Sequence, residues 1–224
     1  QHMFEQLRPE PWLHSHTDIR YTRRIGVGCS GEVWEGTLRG QPVALKRVWV
    51  STKEQYAAFL REAAVLHKLR HPAIVLFMGV CAQPEHVCII TELYPRGTLP
   101  ATLAEFDYEQ CMGMLMQLAE ALCLTHEQDP PLLHRDIRAA NVLIDGDGNA
   151  RLADFSLSLP PKLSPSNFVD VGNMYYQAPE VLQGDSYTAA ADVYSFGMVM
   201  WEMLARKPPF SGAKMTPLQA ALAV

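Results

Sequence analysis

The sequence predicts an α+β protein built from two lobes, because strand-like segments come first along the chain and helical segments follow. Between Tyr21 and Val50, apolar residues recur at roughly every second position, a pattern typical of strands with one buried face. After Gly97 they recur every three or four residues, which is typical of helices. We therefore expect a small antiparallel β lobe that carries one helix, followed by a mainly helical lobe.

The first lobe is expected over residues 21–92, after a tag remnant and an irregular lead-in that together occupy residues 1–20. It begins with an antiparallel meander that has a turn signal at Gly40. Residues 53–70 change to a helical period, and two further strands fill residues 75–93. The predicted order is therefore three strands, one helix and two more strands.

The second lobe is expected over residues 98–224, joined to the first by a short connection at residues 93–97. Its clearest helices are predicted at residues 108–126 and 189–204, where apolar side chains form a stripe along one face. In the first of these helices the stripe consists of Cys111, Met114, Leu115, Leu118 and Leu122.

Composition and charge narrow the classes of function. A formal net charge of −5 lacks the basic excess typical of proteins that bind nucleic acid or an anionic membrane surface. The five cysteines, an odd number without a CxxC pair, indicate neither a disulfide framework nor a zinc site. No apolar run approaches the length of a membrane span. We therefore expect no nucleic acid partner, no membrane insertion and a reducing, cytoplasmic location.

A glycine-rich stretch runs from Gly26 to Val33 with the pattern GxGxxGxV. Glycines at these positions would let backbone N–H groups approach phosphate oxygens closely. In a Rossmann unit the glycines open a helix, whereas here the residues from Glu32 continue as a strand. A P-loop is excluded because no Lys-Ser/Thr pair follows the last glycine. Taken alone, the stretch is more typical of a hairpin turn that contains glycine.

Lys46 ends the segment VALK, at the end of the third predicted strand and close to an apolar face. A buried lysine that loses its partner costs roughly 3 to 5 kcal/mol, so a carboxylate is expected nearby. Glu62, at the edge of the apolar stripe of the first helix, is the obvious partner. The alternative is that both are surface residues with no relation to each other.

The most informative segment is LHRDIRAANVL at residues 133–143, which is followed by Asp154-Phe155 and later by APE at residues 178–180. The chain thus contains GxGxxGxV, VALK, HRDxxxxN, DF and APE in that order. In these motifs it resembles the eukaryotic protein kinase superfamily, from residue 21 to about residue 212. HPAIVLFMGVC resembles the Raf and mixed-lineage branch of the tyrosine-kinase-like group, whereas HRDIRAAN resembles the loop of Src-type tyrosine kinases.

The resemblance implies an enzyme that transfers the γ-phosphoryl group of ATP to a protein hydroxyl with the help of Mg²⁺. Asp136 would accept the proton of the substrate hydroxyl, and Lys46, paired with Glu62, would hold the α- and β-phosphates. Asn141 and Asp154 would ligate Mg²⁺, a hard cation that prefers oxygen ligands.

The resemblance also implies an adenine site. Residues 89–94 match the family's hinge region, with Thr91 as the gatekeeper and backbone groups of Glu92 and Tyr94 facing the adenine edge. Asp192 would be a buried anchor for the catalytic loop, although the dipole of its helix would also favour a carboxylate at this position. The implied nucleotide-binding residues are Ile25, Gly26, Gly28, Gly31, Val33, Ala44, Lys46, Thr91, Glu92, Tyr94 and Leu143.

Three features depart from the family pattern. Ser156 replaces the glycine after Asp154-Phe155; if this position needs a left-handed backbone, serine costs roughly 1 to 2 kcal/mol. We expect altered switching of the loop from this change more than loss of metal binding. Asn173 stands where Ser/Thr kinases usually have threonine. The family's last helices are absent, so we expect either that the second lobe is truncated or that a partner segment takes their place, and that Glu180 is without the arginine partner that the family provides within the chain.

The acceptor residue and the activity leave alternatives open. Arg138, which we include in the catalytic set, stands where Ser/Thr kinases favour lysine, but the segment before APE favours Ser/Thr over dual or tyrosine specificity. A pseudokinase that binds nucleotide and regulates a partner is the second hypothesis, disfavoured because the catalytic residues are present. Ser164 and Ser166 are candidate phosphorylation sites that would pair with Arg135. A protein substrate is expected, and regulatory domains or a partner outside this chain are left open.

Overall fold

The computed structural model describes residues 10–28, 31–83, 85–158, 174–211 and 219. The chain forms two compact units, one of Gln1–Arg70 with Val75–Tyr94 and the other of His71–Ile74 with Pro95–Val224. The division between Tyr94 and Pro95 falls within residues 93–97, which the sequence predicts as the connection. The predicted lobe bounds themselves stay a prediction.

The first unit contains a five-stranded antiparallel sheet. Its strands are β1 Ile19–Gly28, β2 Gly31–Leu38, β3 Gln41–Val48, β4 Phe77–Cys81 and β5 Cys88–Glu92. They lie in the order β1-β2-β3-β5-β4, so β4 is an edge strand and β5 lies between β3 and β4. In β3 the residues from Val43 to Lys46 alternate between buried and half-buried, as the period-two pattern predicts, whereas the middle of β2 is half-buried throughout.

Part of the predicted lead-in belongs to the fold. Strand β1 begins at Ile19, two residues earlier than expected, because Ile19 pairs with the end of β2 and packs on the apolar core. Upstream of β1, Leu13 forms a parallel bridge with Val80 at the edge of β4. A Cβ added at Gly79 would lie 2.5 Å from the Trp12 carbonyl oxygen, so this close approach requires glycine.

The register of the sheet separates its two faces. Directly opposed residues of antiparallel strands share a face, and Lys46 opposes Val33 and Ile89, while Ala44 opposes Thr91. The implied nucleotide-binding side chains of β2, β3 and β5 therefore lie on one face. The other face carries the core cluster of Leu38, Val43, Leu45, Cys81, Cys88 and Ile90.

One helix, α1 Lys53–Lys68, packs in the first unit, as predicted. It begins with a capping box in which the Thr52 hydroxyl accepts a hydrogen bond from Gln55 N and the Gln55 side chain accepts one from Thr52 N. Its buried stripe includes Phe59, Glu62 and Ala63. The apolar period of the helix therefore carries Glu62 into the interior.

The second unit is mainly helical. It contains α2 Leu99–Thr102, α3 Tyr108–His126, α4 Pro179–Leu182 and α5 Ala189–Ala205, with a small antiparallel pair of β6 Val142–Ile144 and β7 Ala150–Leu152. Helix α3 has the predicted bounds and buries the predicted apolar stripe. The capping box of Asp107 and Gln110 fixes its start.

The segment His71–Ile74 packs with the second unit, although the sequence pattern placed it in the first lobe. Ala73 O accepts a hydrogen bond from Leu152 N at 2.7 Å, and Ile74 forms a bridge with Leu152. This pairing joins residues almost 80 positions apart in the sequence, so the local pattern did not indicate it.

The prediction of an α+β fold is confirmed. An antiparallel sheet with one helix forms the first unit, and helices dominate the second. Among the residues that the structure describes, no helix has both the length and the apolar character needed to cross a membrane. The four cysteines in the described residues are free thiols, and Cys29 lies outside them.

Candidate functional site

Asp192 anchors the loop that leads from α3 to β6. Its Oδ2 accepts a hydrogen bond from His134 N at 2.8 Å, and its Oδ1 accepts one from Arg135 N at 2.9 Å. The Tyr187 hydroxyl donates to Oδ1 at 2.8 Å, and His126 Nε2 lies 2.9 Å from Oδ2. The sequence left open whether Asp192 is an anchor or a dipole-stabilised carboxylate, and the structure confirms the anchor.

The Asp192 carboxylate is completely buried. Burial alone would raise its pKa, but the hydrogen bond with His126, the electrostatic interaction with the nearby His134 ring and the two backbone N–H groups together bring the pKa below its usual value. The next residue in the loop, Arg135, has a left-handed backbone with φ of 70°. Such a conformation is typical of segments whose shape the surrounding structure imposes.

Asp136 and Asn141 contact each other within this loop. Asn141 Nδ2 donates to the backbone oxygen of Asp136 at 2.8 Å and to its Oδ2 at 2.6 Å. Because the amide nitrogen faces Asp136, Asn141 Oδ1 is the atom of that side chain suited to ligate a cation. Burial raises the pKa of the Asp136 carboxyl, while the electrostatic interaction with the nearby His134 ring and the hydrogen bond from Asn141 oppose the rise.

Asp154 follows β7 and lies beside this loop. Ala153 N donates to Asn141 O at 2.9 Å, which ties the backbone before Asp154 to the end of the catalytic loop. Asp154 itself has a left-handed backbone with φ of 61°. The next residue, Phe155, is fully buried, and its ring centroid lies 4.6 Å from that of His134. The two candidate metal ligands are thus connected by one backbone hydrogen bond.

Ser156 contacts the Asp154 carboxylate. Its hydroxyl donates to Asp154 Oδ1 at 2.7 Å, and its backbone N–H lies 3.4 Å from the same oxygen. The left-handed residue of this turn is Asp154, and Ser156 is not among the described residues with positive φ. Serine was expected to cost free energy only if position 156 had a left-handed backbone, and in this conformation it does not.

Arg138 lies near two acidic side chains. Its charge opposes the rise in pKa that burial causes at Asp136 and at Glu202 of α5. Its Nε is buried and meets no hydrogen-bond acceptor within the described residues. A buried donor of this kind costs about 1 to 3 kcal/mol if it stays without a partner, so it is suited to bind an oxygen atom of a ligand.

Sequence reasoning missed the contact between the APE segment and α5. The Tyr176 hydroxyl donates to Glu202 Oε2 at 2.5 Å, and the Ser195 hydroxyl donates to the Tyr176 backbone oxygen at 2.7 Å. Glu202 is 5% exposed, and its burial inside an apolar helix was the one signal that could have indicated a polar partner. These bonds hold the residues before Ala178 against α5.

In the first unit, Lys46 and Glu62 form the predicted pair. Lys46 Nζ lies 2.8 Å from Glu62 Oε1, and the side chains are 18% and 6% exposed. The pair joins β3 to α1, and its hydrogen bond fixes the direction of the lysine side chain. The structure therefore confirms the pairing of Lys46 and Glu62.

The glycine stretch closes the β1–β2 hairpin. Gly28 opposes Gly31 in the register, and the strand continues through Val33, as the sequence predicted against a Rossmann turn. A Cβ added at Gly31 would lie 1.9 Å from the Arg47 carbonyl oxygen, so only glycine fits. A Cβ added at Gly26 would lie 3.7 Å from Val33 Cβ, an ordinary contact distance, and Ile25 is 46% exposed.

The remaining implied nucleotide-binding residues lie on strands β2, β3, β5 and β6 or directly after β5. Val33, Ala44 and Thr91 are half-buried, and they lie on the same face of the sheet as Lys46. Glu92 N donates to Leu76 O at 3.0 Å, and the Tyr94 hydroxyl donates to Glu92 Oε2 at 2.9 Å. Leu143 lies in β6 of the second unit. Asn173, Ser164 and Ser166 fall outside the described residues.

Comparison with known families decides the class of protein. A family model described as Protein kinase domain matches residues 19–222. The chain belongs to this family. The kinase domain is 36% identical over 210 residues to a probable serine/threonine-protein kinase of Dictyostelium discoideum. The aligned residues make up 90% of this chain and 20% of that relative.

Two further relatives have more specific names. The dual specificity protein kinase shkC of Dictyostelium discoideum is 34% identical over 215 residues, covering 92% of the kinase domain and 41% of shkC. The serine/threonine-protein kinase CTR1 of Arabidopsis thaliana is 33% identical over 226 residues, covering 96% and 26%. The kinase domain therefore spans less than half the length of each of these relatives.

Proposed function

We propose that this kinase domain transfers the γ-phosphoryl group of ATP to a serine or threonine hydroxyl of a protein. The observation that carries the proposal is the catalytic loop, in which Asp136 is held by Asn141 and the backbone is held by Asp192. Phosphoryl transfer depends mainly on positioning and on neutralising charge, so a loop with fixed side chains is suited to it.

Asp136 would accept the proton of the acceptor hydroxyl. Its Oδ2 receives the hydrogen bond from Asn141, which sets the orientation of the carboxylate. The buried Nε of Arg138 is a donor suited to an oxygen of the substrate or of the transferred group. Both side chains would act near the acceptor hydroxyl, because Arg138 is close enough to Asp136 to influence its pKa.

The donor set of Asn141 and Asp154 fits Mg²⁺. One amide oxygen and one carboxylate are hard oxygen ligands, and Mg²⁺ commonly keeps several waters instead of requiring a full protein cage. When bound, the ion would neutralise negative charge on the phosphates. Asn141 and Asp154 would be positioned for this role by the bond between Ala153 N and Asn141 O.

Lys46 would contact the α- and β-phosphates of ATP, with Glu62 holding the lysine in place. Val33, Ala44 and Thr91 would line the adenine pocket, because the register places them on the same sheet face as Lys46. Glu92 would offer its backbone oxygen to the adenine, because its N–H is already bonded to Leu76 O. Ile25, Gly26, Gly28, Gly31, Tyr94 and Leu143 complete the proposed nucleotide set.

The finer assignments rest on the sequence. HPAIVLFMGVC supports membership of the tyrosine-kinase-like group, and a cytoplasmic location agrees with the cysteine usage. Dual specificity is the second candidate, supported by the HRDIRAAN loop and by the similarity to shkC. The pseudokinase hypothesis is disfavoured, since similar proteins are named as protein kinases and the catalytic residues are present. A regulatory partner outside this domain stays a proposal.

Transfer to acceptor peptides tests the proposed specificity. Matched peptides that differ only in a central serine, threonine or tyrosine are incubated with the protein and Mg-ATP, beside the Asp136→Asn variant. We expect phosphate on the serine and threonine peptides with the unmutated protein, and at least about a hundredfold less with the variant. Transfer to tyrosine alone would contradict the proposed specificity, and equal transfer by Asp136→Asn would contradict the role of Asp136.

A further inference from the structure

Ser156 occupies a turn whose geometry its neighbours determine. Phe155 is fully buried against His134, and Ser158 N donates to Phe155 O at 3.1 Å, which closes a turn over Ser156 and Leu157. The Ser158 hydroxyl also lies 3.3 Å from His134 O. Because both ends of the turn are attached to the catalytic loop, the Ser156 hydroxyl has a defined position relative to Asp154.

This position directs the hydroxyl at the carboxylate that would ligate Mg²⁺. The distance of 2.7 Å between Ser156 Oγ and Asp154 Oδ1 is typical of a strong hydrogen bond from a hydroxyl to a carboxylate. A bond to Oδ1 restricts rotation of the carboxylate about χ2, and it thereby sets the direction in which Oδ2 lies. Of the two contacts that residue 156 makes with the Asp154 carboxylate, glycine would keep the longer one, from the backbone N–H at 3.4 Å.

We propose that Ser156 is a positioning residue that strengthens the affinity of this kinase domain for its divalent cation by orienting the Asp154 carboxylate. The inference rests on the proposed function, because it takes Asp154 as a metal ligand. Side chains that hydrogen-bond to metal ligands commonly change metal affinity by 10- to 100-fold when they are removed. Ser156 is half-buried and its N–H keeps one contact, so an effect of about tenfold is expected.

A purely structural role of Ser156 predicts a different result. If the serine only favours the turn, alanine replaces it well, because alanine adopts the same backbone and lacks only the hydroxyl. Glycine would loosen the backbone as well as remove the hydroxyl. Threonine keeps a hydroxyl on Cβ. The three substitutions therefore separate the hydroxyl from the conformation of the chain.

The experiment measures Mn²⁺ binding, which requires no turnover. The purified protein is saturated with an ATP analogue that has a β,γ-imido bridge, and free Mn²⁺ is followed by electron paramagnetic resonance. We expect Ser156→Ala and Ser156→Gly to raise the Mn²⁺ dissociation constant about tenfold, and Ser156→Thr to stay within about threefold of the unmutated protein. Ser158→Ala is the matched control, because it removes a hydroxyl from the same loop that contacts His134 O and not Asp154.

Two results would overturn the proposal. One is an unchanged Mn²⁺ dissociation constant in Ser156→Ala, and the other is a rise in Ser158→Ala as large as in Ser156→Ala. Thermal unfolding of each variant checks that the fold is intact, and Ser156→Gly provides the answer if Ser156→Ala is unstable. Because binding is measured without catalysis, a protein that fails to transfer phosphate but binds Mn²⁺ in this pattern contradicts the proposed function and not the role of Ser156.

Discussion

At the scale of single residues, the pair of Lys46 and Glu62 shows how a chemical requirement becomes a contact. The sequence predicted the pair because a lysine near an apolar face needs a carboxylate, and the side chains meet at 2.8 Å. Both are largely removed from water, so breaking the pair leaves a poorly solvated charge behind. Their joint effect on stability should therefore differ from that of an exposed ion pair.

A double-mutant cycle tests this coupling. Lys46→Met and Glu62→Gln should each reduce the free energy of unfolding by about 3 kcal/mol, while the double variant should lose less than the sum, with a coupling above about 1 kcal/mol. Urea unfolding provides the measurement. The control is Arg23 with Glu35, an ion pair at 2.7 Å whose side chains are 73% and 33% exposed. Its coupling should stay below about 1 kcal/mol, and equal couplings would contradict the prediction.

Not every residue could be predicted in this way. The Ser156 hydrogen bond was not foreseen, because it depends on which residue of the turn takes the left-handed backbone. The motif suggested position 156, whereas the structure has this conformation at Asp154. Likewise, the surroundings of Arg138 include Glu202, which is 64 positions further along the chain. Motif spacing gives no information about such neighbours.

At the scale of elements, helix α5 buries two carboxylates in different environments. The pKa of Asp192 is lowered, because its hydrogen bonds and electrostatic interactions together outweigh the effect of burial, which would raise the pKa. Glu202 has its pKa raised, because burial outweighs the hydrogen bond from Tyr176 and the charge of Arg138. The same apolar helix therefore contains Asp192, which stabilises the folded state more when it is charged, and Glu202, which stabilises it more when it is neutral.

Asp192→Asn should reduce the free energy of unfolding by about 3 kcal/mol at pH 7, because an amide cannot accept all four hydrogen bonds. The folded pKa of Asp192 is depressed, so its contribution is present above the unfolded value of about 4 and is lost as pH falls through the folded value. Urea unfolding should thus show a smaller difference at pH 3 than at pH 7. Asp185→Asn, at an exposed position, is the control. An equal loss at both pH values would contradict the account.

Glu202→Gln should have the opposite pH dependence. Because the folded pKa of Glu202 is raised, the unmutated protein loses stability as pH rises from about 4.3 through the folded value. Glutamine does not ionise, and its oxygen can still accept the hydrogen bond from Tyr176. The variant should therefore gain stability relative to the unmutated protein between pH 4 and pH 7. Glu120→Gln on the exposed face of α3 should show no such gain, and a loss in Glu202→Gln would contradict the assignment.

Helices and strands themselves were well predicted from periodicity. Helix α3 has the expected bounds, and the five strands appear in the expected order, because each element buries one face and so carries a regular apolar pattern. Contacts of irregular segments were not predicted. The bridge from Leu13 to Val80 and the pairing of Ile74 with Leu152 involve isolated residues, which have no period to detect.

At the scale of the whole molecule, the order of strand and helix patterns predicted the α+β fold. The same patterns predicted the division into two units only in part. The segment His71–Ile74 joins the second unit through backbone hydrogen bonds that have no sequence signature. The family, in contrast, was evident from five short motifs, because phosphoryl transfer requires particular residue types at fixed separations. The family match over residues 19–222 agrees with that resemblance.

We propose that this kinase domain is a working catalyst despite the Asp154-Phe155-Ser156 sequence. The most direct test is phosphate transfer within the purified protein, resolved by mass spectrometry after treatment with phosphatase and then with Mg-ATP. A working catalyst should gain the mass of whole phosphoryl groups on serine or threonine in the unmutated protein and none in Asp136→Asn, with nucleotide still bound by both. Retained ATP binding without any transfer, to the protein itself or to acceptor peptides, would contradict catalysis and favour a pseudokinase.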